Sequence, residues 1–549
     1  MCDTELSRGL PPTRGSAKLR FSWPDAVFVL LLAAFWVTCV TPIVVQERRH
    51  GGDIFRDAAS AANIAQGRFL TDPAYPGETI WYPPLSPAIF GLLSRLFDSA
   101  PLDCYRWSQL LFNWTIPAGL YLIVRLWWGW RAAALAVAAL LLAIPWWQCE
   151  VVQGQPSVHA VVWGMAALLL YARQECSASA GWATVCGTLQ GVAFWHHPLI
   201  PSVLSLTFVV QAMWSLRKAR RSADVPSRVR GVLVRNALIL GLTLLLAAPM
   251  LYLMLHGPVL NTTPREFIAG ELRTVEFALM RLNPWIWVTG LIGVVLCIKR
   301  ANLASRLVVC VLGICAVGQL AAYPRIMGWP WAARLPLVVP HELQWTFQLA
   351  WAVCVAIGID ALIGGLLGLR PFAPHRGRLA LPTLLLALLL TGTWGLFSVK
   401  GNLRRFVHVY GQNFPGATAW IRANTDIGDV FACEPIWAYA WLNPDTGRKV
   451  WLSEPGHSNP RVDWKERKRG LDEMAAAIKP ETFWRLVREH DIDYCIPSTG
   501  WMPRVLADPA LRREAIPAYL ELVYGGGPED AAILRVRAAP FDPAAPQQD

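Results

Sequence analysis

The sequence predicts a polytopic α-helical membrane protein with about eleven spans and a C-terminal extracytoplasmic α/β domain. Of its 549 residues, 54% are hydrophobic and only 16% are charged, whereas a soluble protein carries about 25% charged residues. The apolar residues form runs long enough to cross a bilayer. Many of the 28 tryptophans lie at the ends of these runs, where amphipathic rings are enriched at membrane interfaces. After residue 400 the long runs stop, and shorter helix and strand patterns follow.

The first apolar run, residues 24–46, follows a basic segment and is too long for the core of a cleaved signal peptide. It predicts an uncleaved anchor with a cytoplasmic N-terminus. We predict the later spans at 106–126, 131–147, 157–173, 180–194, 197–216, 236–255, 284–299, 305–322, 345–368 and 379–397. Segment 81–97 is assigned to a helix on or in the outer leaflet, because counting it as a span puts the basic loop 217–235 outside, against the positive-inside rule.

These assignments give two domains. Residues 1–399 form the multi-pass domain, with a first outer loop at 47–105, and residues 400–540 form an extracytoplasmic α/β domain. The charge of +12 does not indicate nucleic-acid binding, because the densest basic run lies between two spans and no aromatic–basic RNA motif accompanies it. In the tail, Cys433 and Cys495 could form a disulfide if that domain is outside the cytoplasm.

The first outer loop begins HGGD, directly after the first span. Asp53 stands at the start of a helix predicted to run to Gln66 and to end at Gly67. An acid at this position can cap the helix, or it can serve as a general base for an acceptor hydroxyl above the bilayer. Asp57, one turn along the helix, is the alternative base, or it pairs with Arg56 or Arg68 as a solvated charge.

The order of motifs resembles the GT-C superfamily, the integral-membrane glycosyltransferases that use lipid-linked sugar donors. An apolar span is followed by GGD, then GRF and YPPL, then further spans and an outer domain that begins AWIRANT. VVQGQPS (151–157) resembles the Gly-Gln segment of the polyprenol-phosphate-mannose mannosyltransferase branch. The resemblance implies that Asp53 is the catalytic base and that a polyprenyl-phosphate sugar is the donor.

Two positions depart from the pattern of the superfamily. The second acidic residue that many members carry is absent, and Gln153 and Gln155 stand near its place, just after Glu150. The lysine that some members carry before the paired prolines is Tyr82. Both departures argue against the branch that transfers aminoarabinose. We expect Tyr82, Gln153 and Gln155 to line the substrate site.

The phosphate of such a donor needs a cation near the outer surface. Arginine and histidine residues at the predicted outer ends of spans are the candidates, although the two arginines could equally be interfacial residues whose charged ends reach water. The candidates are His196, His197, Arg325, Arg334 and His341. Some GT-C enzymes use a divalent metal ion, but no ligand set for one can be assigned from this sequence.

The sequence therefore predicts an inverting hexosyl- or pentosyltransferase at the outer face of the cytoplasmic membrane. The expected acceptor is a hydroxyl of a glycan, lipid or protein. A transporter or lipid flippase is the main alternative, and the absence of paired broken helices in two halves argues against it. A non-catalytic membrane scaffold is the third hypothesis.

Overall fold

The computed structural model describes residues 21–45, 54–144, 156–221, 225–256, 284–321, 323–329, 340–369, 414–454, 458–525 and 530–540, with isolated positions between 371 and 387. Its packing divides the chain into two compact units. We call residues 1–47, 108–251 and 263–407 the helical unit, and residues 48–107, 252–262 and 408–549 the loop–tail unit.

The predicted spans that fall on described residues are largely helical, and the span at 106–126 consists of two helices separated by a turn at Asn113 and Trp114. The helices are Trp23–Phe35 with its π-helical and α-helical continuations Trp36–Val40 and Thr41–Val45, Pro101–Phe112, Thr115–Trp128, Trp130–Ala138 with Ala139–Ala143, Pro156–Ser177, Ala180–His196, Leu199–Ala219, Val225–Leu255, Pro284–Arg300, Leu303–Leu320, Tyr323–Ile326 and Pro340–Gly368. Among the described residues, six helical segments are long and apolar enough to cross a membrane. The count of eleven spans stays a prediction, and the predicted span 379–397 lies largely outside the described residues.

The core of the helical unit forms around Pro340–Gly368, whose middle turns are buried. This helix packs against Pro284–Arg300 through glycines. A side chain at Gly293 would overlap the carbonyl oxygen of Cys354, and one at Gly358 would overlap that of Thr289. Small residues allow such close helix contacts in membranes, where the hydrophobic effect does not drive helices together. Asp360, an acid within this span, pairs with Arg131, whose Nε lies 3.1 Å from its carboxylate.

The segment 81–97 contains a helix, Leu85–Phe97, of 13 residues. At 1.5 Å per residue it measures about 20 Å, which is short of the roughly 30 Å hydrocarbon core. A helix of this length does not cross the membrane unaided. It belongs to the loop–tail unit together with the helix Ile54–Ala65, which we call the first-loop helix.

The tail folds around a mixed five-stranded sheet in the order β2-β1-β3-β5-β4. β1 (Val430–Cys433) is parallel to both β2 (Lys449–Val450) and β3 (Tyr494–Ile496), whereas β5 (Ile533–Val536) is antiparallel to β3 and to β4 (Leu520–Tyr524). The helices of the tail are Pro415–Asn424, Pro435–Trp437 with its continuations Ala438–Leu442 and Asn443–Thr446, Trp464–Ala476, Pro480–Glu489, Arg504–Ala507 and Pro509–Tyr519. The predicted α/β character of the tail is confirmed.

Alternate residues of the strands face opposite sides of the sheet. Phe431 and Cys433 point into one apolar cluster, whereas Ala432 and Cys495 point into the other. Cys433 and Cys495 are free thiols, because their side chains leave adjacent strands on opposite faces. The disulfide that the sequence left open between Cys433 and Cys495 is therefore not formed.

Candidate active site

The first-loop helix begins one residue after Asp53, which itself lies outside the described residues. All of its residues from Ile54 to Ile64 are buried. The helix ends near the predicted position. Gly67 has φ 84°, its N–H donates to the carbonyl of Ile64, and the N–H of Arg68 donates to that of Asn63. This is the Schellman end that a glycine favours.

The small residues of this helix contact protein. Its backbone packs closely on the helix Leu85–Phe97, where a Cβ at Gly91 would lie 2.6 Å from the carbonyl oxygen of Ala61. On another side, the Phe55 ring meets the Tyr439 ring of the tail edge to face, with centroids 5.7 Å apart. Both contacts lie within the loop–tail unit. The first loop therefore shares a core with the tail.

Asp57, the alternative base, is buried and ion-paired. Arg56 donates from Nε to Asp57 Oδ1 at 3.1 Å and from Nη2 to Oδ2 at 3.4 Å. The guanidinium also lies over the Tyr82 ring, with Cζ 3.6 Å from the centroid. The expected pairing with Arg56 is present, but the expectation that Asp57 is a solvated charge is wrong. Its side chain is fully buried.

The residues after the helix form a short hairpin organised by Asp72. Its Oδ1 accepts the N–H groups of Ala74 and Tyr75, both at 2.8 Å, and its Oδ2 accepts Nδ2 of Asn459 at 3.0 Å. Burial raises the pKa of Asp72, and these hydrogen bonds oppose the shift. Asn459 belongs to the tail, so this carboxylate links the loop to the segment after β2.

The hairpin also covers the edge of the sheet. The N–H of Val450 in β2 donates to the carbonyl of Ala74 at 2.8 Å, and the Lys449 ammonium donates to the carbonyl of Asp72. Tyr75 is hydrogen-bonded to Ser458 at 2.8 Å. Burial raises the pKa of Tyr75 to about 12 and lowers that of Lys449 to about 8. Neither shift was foreseeable from the sequence, because each depends on residues almost 400 positions away.

A small cleft is lined by these loop elements and by residues of the tail, and we call it the loop–sheet cleft. Tyr82, which the sequence predicts to line the substrate site, is one of its lining residues. The lining includes Arg56, Ser60, Trp81, Tyr82, Tyr439 and Asn443. Hydroxyl, amide and aromatic groups therefore surround Arg56, which follows Asp53 by three residues along the chain. Sequence analysis identified Tyr82 but missed the lining residues of the tail, which carry no local motif.

The two candidate histidines lie in the helical unit. His196 ends the helix Ala180–His196, and its Nε2 accepts the indole N–H of Trp163 at 3.0 Å. Its ring lies 5.7 Å from that of His159, and the His197 ring lies 6.1 Å from that of Trp345. Both candidates are buried. His159 was missed because a single histidine inside an apolar run gives no signal of its own.

Of the remaining candidates, two lie on described helices. Arg325 lies in the short helix Tyr323–Ile326 and His341 in the helix Pro340–Gly368. Arg334, Gln153 and Gln155 lie outside the described residues. Within the described residues, no group of three or more His, Cys, Asp or Glu side chains could hold a metal ion.

Solved structures share this architecture over nearly the whole chain. The oligosaccharyltransferase of Archaeoglobus fulgidus matches with a TM-score of 0.54 at 13% identity, covering 96% of this chain and 77% of that one. ArnT from Cupriavidus metallidurans matches with a TM-score of 0.55 at 14% identity, covering 93% and 98%.

The chain has the GT-C fold. The mycobacterial arabinofuranosyltransferase AftD also matches, with a TM-score of 0.53 at 15% identity, covering 95% of this chain and 42% of that one. ArnT has also been solved bound to undecaprenyl phosphate. No family model and no curated protein matches the chain. The resemblance to the GT-C superfamily predicted from the sequence motifs is thereby confirmed at the level of fold.

Proposed function

We propose that this protein is an inverting glycosyltransferase that moves a sugar from a polyprenyl-phosphate donor to an acceptor hydroxyl at the outer face of the cytoplasmic membrane. The observation that carries the proposal is the GT-C fold, which ArnT bound to undecaprenyl phosphate shares over 93% of this chain. The first-loop helix supports it, because the helix that follows Asp53 is held rigidly by buried contacts.

In the proposed reaction Asp53 takes the proton of the acceptor hydroxyl. The acceptor oxygen attacks the anomeric carbon of the donor, a new C–O bond forms, and the bond from that carbon to the phosphate oxygen breaks. The polyprenyl phosphate leaves with the electron pair. A single displacement inverts the anomeric configuration, so the linkage in the product has the opposite configuration to that in the donor.

The leaving phosphate gains negative charge in the transition state, and groups that contact it lower the barrier. The proposed contacts of the leaving phosphate are His196, His197, Arg325, Arg334 and His341. In the described geometry the Nε2 of His196 accepts a hydrogen bond from the indole N–H of Trp163. Transfer measured with and without EDTA tests the divalent ion that the resemblance allows.

The polyprenyl chain needs an apolar site. A cavity in the helical unit has aliphatic and aromatic walls, and Thr346 is the hydroxyl-bearing residue of its lining. Its lining includes Leu120, Val161, Leu168, Leu204, Val311 and Val353. We propose that part of the donor's isoprenoid chain binds there.

The test is transfer of labelled sugar from a panel of polyprenyl-phosphate donors in membranes that carry matched amounts of each variant. General bases contribute about 10²–10⁴-fold, so Asp53→Asn is expected to lower transfer by at least 100-fold. Asp98→Asn is the control, because Asp98 is an exposed residue of the same loop at a left-handed helix end that asparagine tolerates. Asp57→Asn breaks a buried ion pair and is expected to reduce the amount of folded protein.

Equal transfer by wild type and Asp53→Asn would contradict the proposal and leave Asp53 as a helix cap. A transporter, flippase or scaffold would likewise be indifferent to this substitution.

A further inference from the structure

Two consecutive helices of the helical unit carry a dense positive charge at the ends that adjoin in sequence. The helix Leu199–Ala219 ends in a basic run that continues past its last residue, and the helix Val225–Leu255 begins with another. We call residues 217–221 and 228–230 the basic arms. They hold six lysine and arginine residues and no acidic residue. Asp224, which stands between the arms in the sequence, lies outside the described residues.

The arginines of the basic arms have no counter-charge within the described part of the chain. Five of them are exposed, and their side chains make no hydrogen bond or ion pair with any described residue: Arg217, Arg220, Arg221, Arg228 and Arg230. Exposed basic residues of the tail differ, because they pair with an acid one turn along the same helix, as do Lys468, Arg469 and Arg485. The guanidinium groups of the arms are therefore available to a partner from outside the chain.

A polar network joins both arms to the end of the helix Pro156–Ser177. Arg235, just beyond the second arm, donates from Nε to Oε1 of Gln174 at 3.0 Å. The buried Gln174 donates from Nε2 to Oε1 of Glu175 at 3.0 Å. Ser215, just before the first arm, donates to Oε2 of Glu175 at 2.7 Å. Because both arms are anchored on one helix end, a ligand that contacts both does not have to bring them together.

Exposed apolar side chains adjoin both arms. They lie one helical turn before the first arm and one turn after the second, and they are Met213, Trp214, Leu233 and Val234. One turn rises about 5.4 Å. In a membrane-spanning helix, exposed aliphatic side chains contact the acyl chains of lipids, and tryptophan is enriched at the border with the headgroups. Positive charge and lipid-facing surface are therefore adjacent on both helices.

This combination of charge and apolar surface selects a class of ligand. Guanidinium groups bind phosphate oxygens through paired, charge-assisted hydrogen bonds. An anionic phospholipid joins a phosphate group to acyl chains, and anionic lipids attract basic residues that lie next to membrane spans. A soluble polyanion would use the guanidinium groups but would leave the adjoining apolar side chains without a contact.

We infer that the basic arms bind the headgroup of an anionic phospholipid, whose acyl chains lie along the adjoining apolar side chains. The topology predicted from the sequence places this site in the cytoplasmic leaflet. Because a ligand that binds only the folded state stabilises it, the lipid stabilises the helical unit. The inference goes beyond the proposed function and does not depend on it.

The test uses the purified full-length protein in detergent, with phosphatidylglycerol as the probe and phosphatidylcholine of the same acyl chains as the uncharged comparison. Native mass spectrometry over a range of lipid concentrations gives the Kd of each lipid. Unfolding of the helical unit is followed by maleimide labelling of Cys186 and Cys315, which are free and buried.

Three double variants are compared with wild type. The glutamine pair, Arg228→Gln with Arg230→Gln, removes two charges from one arm, and the lysine pair, Arg228→Lys with Arg230→Lys, keeps them. Arg485→Gln with Arg488→Gln is the matched control, because it removes the same charge from an exposed face of a tail helix.

We expect wild type to bind phosphatidylglycerol more tightly than phosphatidylcholine and to melt at a higher temperature in its presence. Each arginine near an anionic headgroup strengthens binding about fivefold, so the glutamine pair should raise the Kd for phosphatidylglycerol about 25-fold. The lysine pair should change it only a few-fold, and the control pair should match wild type. High salt should weaken binding by wild type, because it screens exposed charges.

Equal affinity of wild type for the two lipids would overturn the inference, as would an unchanged Kd in a glutamine pair that melts like wild type without lipid. If the glutamine pair does not fold, the salt dependence of the wild type decides, and a Kd for phosphatidylglycerol that does not rise with salt would overturn the inference. Tighter binding of inositol hexakisphosphate than of phosphatidylglycerol would assign the arms to a soluble polyanion instead.

Discussion

Phe55 joins the first-loop helix to the tail through a buried aromatic contact. Its side chain is fully buried, and its ring meets that of Tyr439 edge to face. Truncation of a buried phenylalanine to alanine costs about 3–5 kcal/mol. Within a body of this size, 1 kcal/mol shifts the melting temperature by about 2–4 °C. We therefore expect Phe55→Ala to lower the unfolding temperature of the loop–tail unit by about 6–20 °C.

The thiols of Cys433 and Cys495 supply the assay, because both are free and buried in the sheet. Purified protein is heated with a maleimide, and labelling of the two cysteine peptides is quantified by mass spectrometry. Phe55→Leu keeps most of the volume and loses the aromatic contact, so it should cost only about 1 kcal/mol. Phe69→Ala is the control, since Phe69 lies in the same loop and is 49% exposed. Equal melting of Phe55→Ala and Phe69→Ala would show that the helix does not share the core of the tail.

Three further predictions follow from the same unit. Gly91→Ala should destabilise the loop–tail unit by roughly 1–3 kcal/mol, because the new methyl group would overlap the carbonyl oxygen of Ala61. Helix propensity alone would favour alanine there. Gly525→Ala is the control and should be neutral in the same melting assay, because no atom lies within 4 Å of the added Cβ. The pKa of Lys449 is about 8 in the folded protein and near its ordinary 10.5 when unfolded, so the unfolded state binds more protons between these values. Stability should rise with pH across that window, and Lys449→Met should remove the rise; the same slope in both proteins would contradict the assignment. Reductant should leave the melting curve unchanged, since Cys433 and Cys495 face opposite sides of the sheet; a shift would indicate a disulfide.

The helices and the strands of the tail were predictable because their signals are local. An apolar run of about 20 residues predicts a helix in the membrane, and Gly67 predicted the end of the first-loop helix. β2 is shorter than its apolar pattern suggests. Only Lys449 and Val450 pair in the ladder, because the chain then turns away so that Ser453 and Ser458 meet Tyr75 of the loop.

The site was predictable only in part. Asp53 and Tyr82 carry the motifs of the first loop, so sequence resemblance could single them out. The lining residues Asn443 and Asn459 lie almost 400 residues further along the chain and reach the loop only through the fold. Asp57 shows the same limit of sequence analysis. From the sequence, a charged residue near a helix start is expected to be exposed to solvent, and its burial depends on tertiary contacts.

We propose that Asp53 accepts the proton of the acceptor hydroxyl. The most direct test is a single turnover of labelled polyprenyl-phosphate sugar by purified wild type and Asp53→Asn, each saturated with donor and acceptor, with the fold of both checked by the thiol assay. We expect equal melting, equal donor binding and a fall of at least 100-fold in the rate of the chemical step. An unchanged rate in a folded, donor-saturated Asp53→Asn protein would contradict it.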